Sequence, residues 1–288
     1  LQAWEYEYDA SRNLSEQTNY MRGIGSLGQV RDRFSYDSMN RIKEVTRETS
    51  NGNFSEKLSM EYDSMGNIKK KSDLGSYEYA LNNPSLLSRV VRENDVIDFA
   101  YDAVGNQIQR GGLVMQYNAF NKPDLIINQA DINNPTLYKY SAAQQRVAKI
   151  RAQTTRLYMH GLYEVEYNSN ESPQQIFRVL AGGTAVAEVV RSVVGSEIKD
   201  STHYIHKDRL GSVNLSTDSS ASVISRKEYN AFGAVDFEAG SNDIRIGYTG
   251  HETLDFESSL INMNGRLYDP QVARFTTPDP YVQAPFYS

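Results

Sequence analysis

The chain has 288 residues, 39% of them hydrophobic, a formal net charge of −6 and no cysteine. The length suits one large or two modest domains, the acidic balance disfavours a general nucleic-acid role, and the missing thiols exclude disulfides and cysteine nucleophiles. No apolar run approaches the roughly 20 residues that a helical membrane span needs.

From the N-terminus onward one unit recurs: a Tyr-Asp pair, a turn, then an apolar residue. It runs Tyr8 to Leu14, Tyr36 to Ile42, Tyr62 to Ile68 and Tyr101 to Ile108, with weaker copies starting at Tyr117-Asn118, Tyr140-Ser141 and Tyr229-Asn230. The copy at Tyr62 is the clearest. Leu58, Met60 and Tyr62 alternate with Ser59 and Glu61, which is a strand pattern. Asp63 and Ser64 start a turn, Gly66-Asn67 tolerates positive φ, and Ile68 opens the return strand. One such hairpin buries a single face and is marginal alone. Stacked side by side, hairpins extend one sheet, and tyrosine suits that surface because its ring covers apolar area while its hydroxyl reaches a polar partner. Twenty tyrosines against one tryptophan fit a repeated surface. The copies are irregularly spaced, so a loosely wound strip of hairpins is predicted rather than a strict propeller. An ordinary β-sandwich with tyrosine-rich strands is the plainer alternative.

Further along, Ser141 to Arg151 reads either as two helical turns or as another tyrosine-type hairpin, and Ile176–Ala181 and Thr184–Val190 flank Gly182-Gly183 as a hairpin. Residues 1–200 are therefore read as a repeat strip. Residues 201–288 are read as a second segment, denser in glycine, charge and short motifs. The fold class expected is all-β: a curved strip of antiparallel β-hairpins followed by a compact, loop-rich segment continuing the same sheet. The chain opens at Leu1 in the middle of a repeat, so it is expected to be part of a longer protein.

The motifs of the second segment are His203 to Val213, Glu228 to Gly233, Gly247 to Glu252, Asn262 to Pro270 and Ala273 to Pro280. With the Tyr-Asp units, these resemble the YD repeats of RHS (rearrangement hotspot) proteins and their RHS repeat-associated core domain, over most of the chain. Ala273 stands where the family commonly has glycine before Arg-Phe, so the local turn is expected to differ. The resemblance implies a hollow β-shell, as in bacterial polymorphic toxins and Tc toxin C subunits, enclosing the C-terminal toxin segment of the same polypeptide. It implies a secreted or cell-surface bacterial protein, with toxin-complex or secretion-system subunits as further partners. It also implies an aspartyl autoprotease built from one arginine and two aspartates. The arginine of the family's G-R-x-Y motif falls on Arg266, and the first aspartate, in the D-P after R-F, falls on Asp279. The second aspartate belongs to a D-P motif further downstream, so this chain alone is expected to be inert towards itself. Peptide hydrolysis by carboxylates needs two of them, one as base and one as acid, and an arginine can bind the developing oxyanion. Arginine–aspartate pairs also tie loops together without catalysis.

The remaining motifs point to structure. Gly23-Ile24-Gly25-Ser26-Leu27-Gly28 matches G-x-G-x-x-G, but the strand before it and the helix after it are lacking, so it reads as a loop. No cofactor is expected. His203 and His206 would face opposite sides of a strand, so no metal is expected; His206 reads as a structural residue oriented by Asp208, and His251 similarly. Asp269-Pro270 reads as a turn. No serine sits in a G-x-S-x-G elbow. From a different class, a cell-surface adhesion or carbohydrate-binding module built on exposed tyrosine rings is the alternative function.

Overall fold

The computed structural model describes residues 3–20, 28–52, 55–169, 171–241, 244–254 and 259–280. Gly23 to Leu27 of the glycine-rich motif lie outside the described residues. The protein is all-β, with 59% of residues in strands and 2% in helix. A 22-stranded antiparallel sheet runs from Trp4–Tyr8 to Val235–Gly240, and each strand pairs with the next in the chain. Among the described residues, the first and last strands each have one neighbour, so the sheet ends in two open edges.

The Tyr-Asp unit is a seven-residue device. Its tyrosine faces the residue six positions on, as Tyr8 faces Leu14, Tyr36 faces Ile42 and Tyr62 faces Ile68, with a register shift just before the tyrosine each time. The aspartate Oδ1 accepts backbone N–H groups two and four residues on: Met39 and Arg41 to Asp37, Met65 and Asn67 to Asp63. The residue three after the aspartate adopts positive φ, whether Asn40 (58°) or Gly66 (90°). The weaker copies at Asn118 and Asn230 build the same turn. Ser141 to Arg151 does so too: Gln144 takes φ 60° and Arg146–Arg151 is a strand, so the helical alternative fails. Two further copies, at Asp208 and Asp218, lack the tyrosine and are invisible to a search that starts from it.

The hydroxyls serve a second purpose. Five of them donate to the backbone carbonyl that opens the return strand of the preceding hairpin: Tyr36 to Leu14 (2.8 Å), Tyr62 to Ile42 (2.8 Å), Tyr117 to Gln107 (3.0 Å), Tyr140 to Pro123 (2.8 Å) and Tyr229 to Val213 (3.0 Å). A ladder of tyrosines thus stitches hairpin to hairpin, and at these positions the hydroxyls are engaged in the wall.

The second segment departs from expectation. The sheet continues through Val213–Thr217 and Val223–Tyr229 to Gly240, but beyond it Glu252–Thr253, Ile261–Asn262, Leu267–Asp269 and Arg274–Phe275 form a separate 4-stranded sheet. That segment folds back over one face of the strip and meets the hairpins in reverse chain order. Ile244 and Ile246 pack with Ile205 and Val213. Leu254, Leu260 and Leu267 pack with Met115, Ile126 and Tyr138. Val272 enters a cluster containing Val45, Leu58, Tyr77 and Phe99. The reason is apolar burial: a one-layer strip leaves one face of every hairpin wet, and the returning segment covers it. Strand Glu197–Lys207 runs through residue 200, and the change of sheet comes after Gly240.

The two ends of the strip meet through side chains. Arg47 donates to Asp32 (2.6 Å) and, across the junction, to Asp236 (2.7 Å) and the carbonyl of Tyr229 (2.6 Å). Arg226 binds Glu228 (2.8 Å) and the carbonyl of Gly28 (3.1 Å), and Asn19 donates to Glu228 (3.1 Å). Burial pushes the Glu228 carboxyl up, against the pull of Arg226 and Arg47.

Candidate functional site

Arg266 and Asp279 are brought together by the short sheet. Arg266 leaves a tight loop between Ile261–Asn262 and Leu267–Asp269, in which Asn264 has φ 60° and Met263 N donates to Arg266 O (3.0 Å). Asp279 follows Arg274–Phe275, the strand paired with Leu267–Asp269. This pairing places the Arg266 guanidinium over the Phe275 ring, 3.8 Å from its centroid, and 2.9 Å from Asp279 Oδ2. Phe275 in turn packs at a tilt on Tyr268, with centroids 5.3 Å apart. The pair is solvent-facing: the side chains are 22% and 52% exposed.

Lys122, on the turn before Pro123–Asn128, holds the loop from the wall side. Its Nζ donates to Asn264 O (3.0 Å) and Gly265 O (2.8 Å), and partial burial pulls its pKa down. No local pattern signals this contact, because the partners are backbone atoms 142 and 143 residues away.

Asp269 forms the expected turn, accepting from Gln271 N (3.0 Å) and Val272 N (3.3 Å). It does more: it is buried against Arg110, with Nε 2.5 Å from Oδ2, and burial pushes its carboxyl up despite that guanidinium. Ala273 takes φ 57°, the left-handed conformation that glycine adopts without strain. His206 differs from expectation: its Nε2 meets Thr217 Oγ1 (3.0 Å), while Asp208 is occupied with its own turn. His203 meets Ser201 (2.9 Å) and His251 meets Thr249 (2.9 Å). Among the described residues no group of three histidine, aspartate or glutamate side chains could hold a metal. Among the described residues no helix is long and apolar enough to cross a membrane.

Between the short sheet and the wall lies a charged layer. Glu252 pairs with Arg146 and with Arg156 (3.0 Å), and Arg245 pairs with Glu166 (3.1 Å). Arg178 bridges Glu164 (2.5 Å) and Glu188 (2.9 Å), and burial pushes the Glu188 carboxyl up. Glu252 and Arg245 thereby dock the segment to the wall, while Arg178 links neighbouring wall strands. A cleft lined by Val45, Arg47, Leu58, Asn230, Ala231 and Asp236 lies at the junction of the strip's ends and includes neither Arg266 nor Asp279. The arrangement at Arg266 therefore offers one ionisable carboxylate and one guanidinium, half of what carboxylate-based peptide hydrolysis requires.

A strip of tyrosine-stitched hairpins covered by its own C-terminal segment defines the class: a YD-repeat shell. The model of the Teneurin YD-shell family matches residues 1–285, and the chain belongs to that family. No curated protein matches it. Among solved structures, it is similar to a chain of the TcdB2-TccC3-TEV crystal structure, with TM-score 0.65, 18% identity, and coverage of 96% of this chain and 17% of that one. It is also similar to a chain of the TcdB2-TccC3 crystal structure (TM-score 0.56, 16% identity, coverage 96% and 20%). A third match is to the Photorhabdus luminescens Tc holotoxin pore (TM-score 0.57, 16% identity, coverage 96% and 19%). At such identities the likeness shows the fold, and the chain spans about one fifth of those chains or less.

Proposed function

We propose that this chain forms part of the shell of a secreted bacterial RHS-type toxin that encloses the C-terminal toxin segment of its own polypeptide. The family and the all-β strip support the shell; the similar structures, of TcdB2-TccC3 and of a Tc holotoxin pore, support toxin-complex subunits as partners. We further propose that Arg266 and Asp279 are two members of a self-cleaving aspartyl site. Its second aspartate would be supplied by sequence following residue 288. The observation that carries this reading is the 2.9 Å contact between Arg266 and Asp279, residues 13 apart that the short sheet sets side by side.

In this reading one carboxylate takes a proton from the attacking water while the other, protonated, gives one to the leaving amide nitrogen. Arg266 stabilises the oxyanion or keeps its neighbour ionised. Asp279 cannot be base and acid in one step, so residues 1–288 alone are inert. The test is to express the chain extended through the next downstream D-P motif and follow self-cleavage. Asp279→Asn should abolish it, and Arg266→Gln should slow it by about 10²–10³, the cost of losing an oxyanion partner. Cleavage at the parental rate in Asp279→Asn would remove Asp279 from the mechanism.

A further inference from the structure

We propose that Lys122 is a positioning residue for Arg266, acting by pinning the loop from which the arginine projects. This inference rests on the reading of Arg266 as part of a self-cleaving site. The guanidinium end of Arg266 is already seated, on the Phe275 ring and against Asp279. Its backbone end is tied within the hairpin, by Met263 N to Arg266 O (3.0 Å) beside the Asn262–Leu267 pair. Asn264 and Gly265 form an exposed two-residue connection whose internal bonds are short-range: Gly265 N to Met263 O (2.6 Å), and Asn264 N to Asn262 Oδ1 (3.2 Å). Such bonds shape the loop without attaching it to anything else. Lys122 makes the attachment, donating to both loop carbonyls from a turn of the wall.

The turn that carries Lys122 is itself rigid. Asn118 Oδ1 accepts from the N–H groups of Phe120 (2.9 Å) and Lys122 (3.2 Å), and Tyr117 is a rung of the tyrosine ladder. Lys122 makes no ion pair with a carboxylate among the described residues, so its ammonium is committed to the two carbonyls. Ordering a lysine side chain costs up to about 2 kcal/mol of rotamer freedom, and two charge-assisted bonds to one loop offset it. The loop, and Arg266 with it, are thereby referenced to the wall. Catalytic geometry is sensitive at this scale: a misplacement of about 1 Å costs on the order of 10²-fold in rate.

The experiment uses the chain extended through the downstream D-P motif, comparing the rate of self-cleavage with the melting temperature. Lys122→Ala should slow cleavage by about 10- to 100-fold while the melting temperature stays close to the parent's. Lys122→Arg, which can reach both carbonyls, should restore the rate to within a few-fold. Lys122→Gln, a neutral donor, should fall between the two, and it decides the matter if Lys122→Ala does not accumulate folded. If Lys122→Ala and Lys122→Gln cleave at the parental rate while Arg266→Gln is slowed by about 10²–10³, the positioning role is overturned and the site stands. A slower rate that Lys122→Arg does not rescue, accompanied by a lowered melting temperature, also overturns it, since Lys122 would then be a plain brace. If Arg266→Gln cleaves like the parent, or the parent does not cleave, the site and this role fall together.

Discussion

At the scale of single residues, the tyrosine of a ladder unit such as Tyr36 or Tyr62 does two jobs that composition suggests only as one. Its ring covers the sheet, and its hydroxyl satisfies a carbonyl of the hairpin before it. Tyr62→Phe removes one rung, the 2.8 Å bond to Ile42 O, and leaves the ring in place beneath Arg41, whose guanidinium lies 4.3 Å from the ring centroid. It should cost about 1 kcal/mol, the usual net worth of such a bond, read as a shift in the denaturation midpoint with no change in slope. Ala273 shows the opposite situation, an L-residue held at φ 57°. Ala273→Gly should stabilise the fold by about 1 kcal/mol, because alanine carries a left-handed penalty of about 1–2 kcal/mol that glycine lacks, partly offset by glycine's greater freedom when unfolded. An unchanged or lowered midpoint would show that this turn relaxes in solution.

At the scale of the element, the hairpin was readable where Tyr, Asp and a turn glycine or asparagine stand together, as at Tyr62 to Ile68. It was not readable at Asp208 and Asp218, where the same bonds form without the tyrosine. The transferable signal is the aspartate with a positive-φ position three residues on, seen as Gly211 at 85° and Ala221 at 60°. The ladder has a pH consequence. Burial pushes the phenols of Tyr101 and Tyr140 up to about 12, and it pushes those of Tyr77, Tyr117, Tyr229 and Tyr268 up as well. An unfolded tyrosine ionises near 10. Above about pH 10 the unfolded chain therefore loses protons that the folded chain keeps, and stability falls with rising pH through the interval up to the folded values. Tyrosinate absorbance should rise in two stages, exposed residues first and the buried set only together with loss of β-sheet circular dichroism. A single smooth titration with the sheet intact would contradict the burial of the ladder.

At the scale of the whole molecule, the strip is held in shape by two devices: the returning C-terminal segment and the charged junction of its ends. Arg47 is the centre of that junction. Burial alone would pull its pKa down, but the carboxylates of Asp32, Asp236 and Glu228 more than offset this, so it stays charged. Arg47→Ala strands Asp32 and Asp236, whose side chains are 5% and 14% exposed, and should cost about 3–5 kcal/mol. Arg47→Ala with Asp32→Ala should cost less than the sum of the two singles; simple additivity in that double-mutant cycle would show that the pair is not coupled.

Sequence alone determined the all-β class and the hairpin unit, because each is written within a few neighbouring residues, whereas Arg266 and Asp279 were singled out as a candidate site by the family resemblance of their motifs. Tertiary structure alone decided that the last segment leaves the sheet and crosses one of its faces backwards, that Arg47 joins the strip's ends, that Arg110 buries Asp269, and that Lys122 holds the loop of Arg266. Those contacts depend on which faces remain uncovered after the strip has curled and on backbone atoms more than a hundred residues away. No local pattern of side chains encodes either.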